Sequence, residues 1–135
     1  MTFPVSRSAK CVVGVPNEIK THESRVERNT DRVLQLLADR GVSGTFFVLG
    51  WVADRHPGLV RRIAAAGHEI GSHGWSHQFI YAQTREDFTS ETARSRSLLQ
   101  DLSGQPVRGY RAASFSITGR SLWALDVLID LGFEY

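Results

Sequence analysis

Three of the five histidines in this chain fall within ten consecutive residues, in the stretch Gly67-His68-Glu69-Ile70-Gly71-Ser72-His73-Gly74-Trp75-Ser76-His77. Imidazole is the commonest protein ligand for zinc and related divalent ions, and the spacing His73-x-x-x-His77 lets two rings converge on one ion. A third donor is still required, and it must come from elsewhere in the chain. His68 lies five residues before His73 on a strand-like run, where alternation turns it to the other face, so it is read as structural. His68-Glu69 does not begin a zincin motif, because the residue four beyond His68 is Ser72.

The elements that would position these groups alternate between strand and helix. Lys10 to Val15 is a β-branched run stopped by Pro16-Asn17, a candidate first strand. Ser24-Arg25-Val26-Glu27 fits a capping box, and Val26, Thr30, Val33, Leu34 and Leu37 recur at helical spacing until Gly41. Thr45 to Leu49 is a continuous apolar run of the kind covered on both faces in a parallel sheet. A helix is expected over 54–66, with Asp54 as cap, Pro57 in the first turn, and Leu59, Val60, Ile63 and Ala64 as its inner stripe.

His68 to Ser72 is the third expected strand. Thr84-Arg85-Glu86-Asp87 then opens a helix with Phe88, Thr92, Ser95, Leu99 and Leu102 on one face, a stripe polar enough to predict partial exposure. Val107 to Ala112 reads as a fourth strand, Ser114 to Thr118 as the loop leaving it, and Leu122 to Ile129 as a helix ended by Gly132. Phe133-Glu134-Tyr135 reads as the start of a fifth strand. This order predicts an α/β protein with a mostly parallel sheet, because parallel neighbours need crossovers and helices supply them. Ligands in such folds sit at the C-terminal ends of the strands. His73, His77, Arg111 and Ser114 all fall just after predicted strands and so share one rim.

A length of 135 residues suits one domain with a real core, and 41% apolar with 22% charged residues is ordinary for a globular protein. Disordered, collagenous and coiled-coil classes are excluded on that basis. A net charge of +2, with arginines scattered among acids, argues against nucleic acid as a partner. The lone Cys11 rules out an internal disulfide framework and reads as buried filler. No run approaches the length of a membrane span, and Met1 to Arg7 has no apolar signal-peptide core, which makes the cytoplasm the default compartment.

Three ordered segments resemble the polysaccharide deacetylase family, carbohydrate esterase family 4, also called the NodB homology domain. They are Ser43-Gly44-Thr45-Phe46-Phe47-Val48-Leu49-Gly50, then Gly67 to His77, then Arg108-Gly109-Tyr110-Arg111-Ala112-Ala113-Ser114-Phe115. Ser24-Arg25-Val26-Glu27-Arg28-Asn29-Thr30 and the run from Thr118 to Phe133 are similar to its exosortase-associated exopolysaccharide deacetylases. The resemblance implies a (β/α) barrel of the NodB type, of which this chain would form about four to five βα units. It also implies a divalent metal, zinc, and hydrolysis of N-acetyl groups on a bacterial polysaccharide or oligosaccharide.

In that frame His73 and His77 are metal ligands, Arg111 is catalytic, and the backbone N–H of Ser114 faces the oxyanion. Trp75 and Phe115 are the candidates for stacking on sugar rings. The family places two acids at the end of its first strand, one as metal ligand and one as base. Here that place reads Gly14-Val15-Pro16-Asn17-Glu18, which leaves Asn17 as a substitute ligand and Glu18 as a substitute base. Residues 1–22 therefore form a divergent segment, and 23–135 a partial NodB homology domain whose further family motif would lie beyond Tyr135. Weak or absent turnover follows from these departures, as does an alternative: a non-catalytic carbohydrate-binding or assembly module with a residual metal site. The open sheet edges of a partial barrel would favour self-association.

Overall fold

A computed structural model describes residues 11–14 and 23–135. Its centre is a parallel sheet in the order β1 (Cys11–Gly14), β2 (Gly44–Val48), β3 (Glu69–Ser72). Every residue of the middle strand β2 is buried, which is why its sequence can be apolar at successive positions rather than alternating. The register pairs Gly14 with Phe47 and Phe47 with Gly71, so the three strands end level with one another. Whatever follows each strand is delivered to the same rim.

Helices make the crossovers, as parallel pairing requires. The first, α1 (Glu23–Arg40), buries Val26, Thr30 and Leu37, and Gly41 follows it with φ 61°. It begins at Glu23, so Ser24 lies inside the first turn rather than capping it.

The helix expected over 54–66 is two helices, α2 (Gly50–Arg55) and α3 (Pro57–Ala65). Pro57 explains the break. Its ring fits the first helical position but crowds the residue before it out of the α region, and His56 has φ −126° and ψ 58°. Asp54 is accordingly an interior residue of α2. The inner stripe is as expected, with Leu59, Val60 and Ile63 fully buried, and Val52 and Ala53 of α2 extend it. His56 has a neighbour that sequence spacing does not reveal, the Glu27 carboxylate at 3.6 Å.

The long helix α4 (Arg85–Ser103) begins as its sequence predicts, with Thr84 Oγ1 accepting a hydrogen bond from the Asp87 N–H at 3.1 Å. Its half-polar stripe is covered rather than exposed. Phe88, Thr92, Ser95 and Leu99 are all buried, because α4 packs against α2, α3 and the edge of β3.

Val107 to Ala112 forms no full strand. One parallel bridge joins Tyr110 to Ser72, held by Ser72 N–H to Gly109 O at 2.8 Å and Arg111 N–H to Ser72 O at 2.9 Å. Two ladder bonds place the segment where a fourth strand would lie but are too few to make one. Phe133 to Tyr135 is likewise not a strand. It lies along the same segment through Glu134 N–H to Arg108 O and Tyr110 N–H to Tyr135 O, both 2.8 Å. Between them α5 (Trp123–Asp130) buries Ala124, Val127 and Leu128. The described residues thus form an α/β domain with parallel strands, as the alternation of strand and helix in the sequence predicts. No helix among them is long and apolar enough to cross a membrane.

Candidate metal centre

His73 is the first residue after β3, and its N–H bonds Val48 O at 3.0 Å, which fixes the backbone at the strand ends. The side chain is fixed as well. Its Nδ1 lies 2.6 Å from the carbonyl oxygen of Arg111. A carbonyl can only accept, so Nδ1 carries the proton and Nε2 keeps its lone pair, the state a metal ligand needs. Burial lowers the pKa of His73 below the ordinary histidine value, the nearby His77 and Arg111 charges push the same way, and the Arg111 carbonyl bond opposes them. The neutral ligand form is favoured.

His77 comes back to meet His73 by a left-handed turn, with φ 61°. The two rings stand edge to face with centroids 4.9 Å apart. Two imidazoles on one tetrahedral ion, each nitrogen about 2.0–2.1 Å from it, place their centroids about 5 Å apart. The pair therefore fits two corners of a divalent metal site. Among the described residues no group of three His, Cys, Asp or Glu is close enough to hold an ion. Asn17 and Glu18 lie outside the described residues. Gly14, the last residue of β1, is paired with Phe47 at the rim and precedes Asn17 by three positions.

The loop between the histidines is held on two sides. From α2, Gly50 N–H donates to Gly74 O at 2.8 Å and Trp51 N–H to Trp75 O at 3.1 Å. From α4, Ser95 Oγ donates to Gly74 O at 3.0 Å, Ser76 Oγ donates to Glu91 Oε2 at 3.1 Å, and the Arg94 guanidinium sits 3.5 Å from the centre of the Trp75 ring. Trp75 is half-buried, with one face under Arg94 and its six-membered ring against Gly50. Its ring is thus held by the scaffold, and Trp75 lines a small cavity together with His73 and His77. Spacing already puts Ser95 on the inner face of α4, but a glutamate on a helix reads in sequence as a solvated residue, which is why Glu91 carries no signal there.

Arg111 and Ser114 reach the rim from the next segment. The Arg111 guanidinium is exposed, 5.9 Å from the Phe47 ring and 6.0 Å from that of Phe115. Ala113–Phe115 is a single 3₁₀ turn within the loop expected there, and Ser114 (φ 49°) and Phe115 (φ 54°) are both left-handed. With His77 they are the non-glycine residues of positive φ among the described residues, and all lie on the two loops of this rim. Such conformations cost on the order of 1–3 kcal/mol each and persist only where surrounding bonds dictate them. Ser116 supplies those bonds: its Oγ accepts from Ile80 N–H at 3.0 Å, and its carbonyl accepts from Ser121 Oγ at 2.8 Å. Phe115 is 85% exposed, held out in solvent beside Arg111.

His68 is far from this chemistry. It is buried at the start of β3, its Nδ1 accepts the Gly44 N–H at 3.3 Å, and its ring packs on Phe46.

The geometry is thus that of a parallel α/β sheet presenting an oriented imidazole pair at the C-terminal rim of its strands. The family model described as Polysaccharide deacetylase matches residues 18–135, and the chain belongs to that family. It is 31% identical over 98 residues to a peptidoglycan-N-acetylglucosamine deacetylase of Bacillus cereus, covering 72% of this chain and 36% of that protein. It is 32% identical over 109 residues to a chitooligosaccharide deacetylase of Rhizobium leguminosarum bv. trifolii, covering 72% of this chain and 51% of that protein. The chain thus spans between about a third and a half of the length of these relatives. A carbohydrate esterase family 4 pseudoenzyme from Bacillus anthracis shares the fold, with a TM-score of 0.78 at 17% identity over 97% of this chain and 43% of that one.

Proposed function

We propose that this chain is a metal-dependent deacetylase domain that removes N-acetyl groups from sugars of a bacterial polysaccharide. The observation that carries the reading is the orientation of His73, whose Nδ1–H is committed to the Arg111 carbonyl and whose Nε2 is left free beside His77. In this reading His73 and His77 hold a divalent ion, zinc, with a third donor from the segment after β1, where Asn17 is the candidate. Such an ion polarises an acetamide carbonyl and lowers the pKa of bound water.

The chain's own residues do the rest. The Ser114 N–H donates to the acetyl oxygen as charge develops on it, and the Arg111 cation stands beside the same group. Phe115 offers an exposed ring face to the sugar. Glu18 is the candidate to accept the proton of water, in place of the acid that the family resemblance implies after the first strand. A general base contributes about 10²- to 10⁴-fold, so a substitute at that place makes turnover slow. Ser24 to Thr30 and Thr118 to Phe133 support a finer reading, an exopolysaccharide substrate of the exosortase-associated kind.

The run Gly14 to Glu18, which contains no aspartate, favours a second reading: a carbohydrate-binding or assembly module that keeps the ion but not the reaction. Acetate release from N-acetylated oligosaccharide by the zinc-loaded chain decides between them. Slow, zinc-dependent release that disappears in Glu18→Gln supports the deacetylase. Zinc binding with no release above a His73→Ala/His77→Ala control supports the module and overturns the enzyme reading.

A further inference from the structure

One turn of α4 touches three successive residues of the histidine loop. Glu91, Arg94 and Ser95 are spaced i, i+3 and i+4, so they share a face of the helix. Ser95 takes the Gly74 carbonyl, Arg94 covers the Trp75 ring, and Glu91 takes the Ser76 hydroxyl. Ser95 is fully buried and also bonds Ser72 Oγ at 3.2 Å, and Ser72 Oγ in turn accepts the Gly74 N–H at 3.3 Å. Both backbone groups of Gly74, the residue directly after His73, are therefore tied to hydroxyls that trace to α4. Gly74 itself has φ 78°, a left-handed conformation that favours glycine, and a Cβ there would lie 3.4 Å from the Tyr110 hydroxyl.

These contacts of Glu91, Arg94 and Ser95 are all to the loop between the rings, and none of them is to a histidine ring. Their effect is to fix the path from His73 to His77. The left-handed turn at His77 is unfavourable for a non-glycine residue, and Ser76, immediately before it, is anchored by Glu91. From this geometry we propose that the Glu91–Arg94–Ser95 turn of α4 is the positioning element of the metal site, with the Ser76–Glu91 bond setting where His77 presents its ring. The inference rests on the metal reading of the pair given above. It assigns to α4 a role that neither its sequence nor its distance from the sheet rim suggests.

Zinc affinity of the 135-residue chain, measured by competition with a chromophoric chelator, tests this together with the absorption spectrum of the cobalt form. Partners that orient metal ligands change affinity by about 10- to 100-fold when removed. Glu91→Ala and Ser76→Ala are each expected to weaken zinc by about that factor, and the double variant by no more than either single one. Glu91→Gln keeps an acceptor for the Ser76 hydroxyl and is expected to restore affinity and the cobalt spectrum. A role in stability alone would instead shift the metal-free unfolding midpoint and leave affinity and spectrum unmoved. Unchanged zinc affinity in Glu91→Ala, or losses that add in the double variant, overturns the proposal while the metal site stands. Failure of the unaltered chain to bind zinc overturns the metal reading and this inference with it.

Discussion

His73 is oriented by the backbone, not the side chain, of Arg111: its ring nitrogen meets the Arg111 carbonyl at 2.6 Å, across 38 residues of sequence. One residue thus carries two separable roles. Its carbonyl selects the tautomer of His73, and its guanidinium is exposed at the rim; in the deacetylase reading proposed above the first serves the ion and the second the substrate.

Arg111→Ala should separate those roles. The carbonyl survives the substitution, so zinc affinity is expected to stay within about twofold of the unaltered chain. Acetate release should fall about 10²-fold, the scale for removal of one group that stabilises developing charge. A parallel loss of zinc affinity would show that the side chain holds the loop as well, and would count against the division.

Gly50→Ala should act on the same loop from the opposite side. A methyl at Gly50 would overlap the indole of Trp75, and the Gly50 N–H holds Gly74 O. Overpacking of this kind costs about 1–3 kcal/mol. Denaturant titration should show a destabilisation of that size, and zinc binding should weaken with it. An unaltered midpoint would mean that the indole can move aside without cost.

Acid should loosen the sheet through His68. Its Nδ1 accepts the Gly44 N–H at the head of β2, which only the form with a bare Nδ1 can do, and burial lowers its pKa from 6.5. Between the ordinary and the lowered value the unfolded chain binds more protons than the folded one. Stability is therefore full above about pH 6.5 and declines as pH falls towards the lowered value. The urea midpoint of the metal-free chain should drop over that range, and His68→Gln should flatten the drop. His73 titrates with the same sign, so a residual slope is expected in the variant; an unreduced slope would remove His68 from the account.

Much of the positioning frame is legible in the sequence, because it rests on local signals. The apolar run of β2, the Thr84 cap and the glycine stop at Gly41 each declare an element where it stands. The break at His56 was also written there, in Pro57, but a proline at the start of a helix and a proline that divides two helices have the same local signature. Only the fact that Gly50 to Arg55 already forms a turn distinguishes them. Val107 to Ala112 has strand-like composition, yet whether such a run pairs at one residue or six depends on its neighbours. The histidine pair shows in its spacing. The groups that hold it do not, since Arg111 O is backbone, Glu91 looks like a solvent-facing helix residue until α4 docks, and the inner-face position of Ser95 does not say what it bonds.

The long span of the His73–Arg111 contact and the α4 grip on Gly74 and Ser76 also govern when the centre can exist during folding. Forming the His73–Arg111 contact requires closure of a 38-residue loop, a non-local step whose entropic cost precedes the contacts that reward it. Until Tyr110 bridges to Ser72, His73 and His77 are neighbours along the chain without a shared orientation. In the metal reading proposed above, tight ion uptake requires this edge to be complete, and an ion that binds only the finished arrangement would favour its completion.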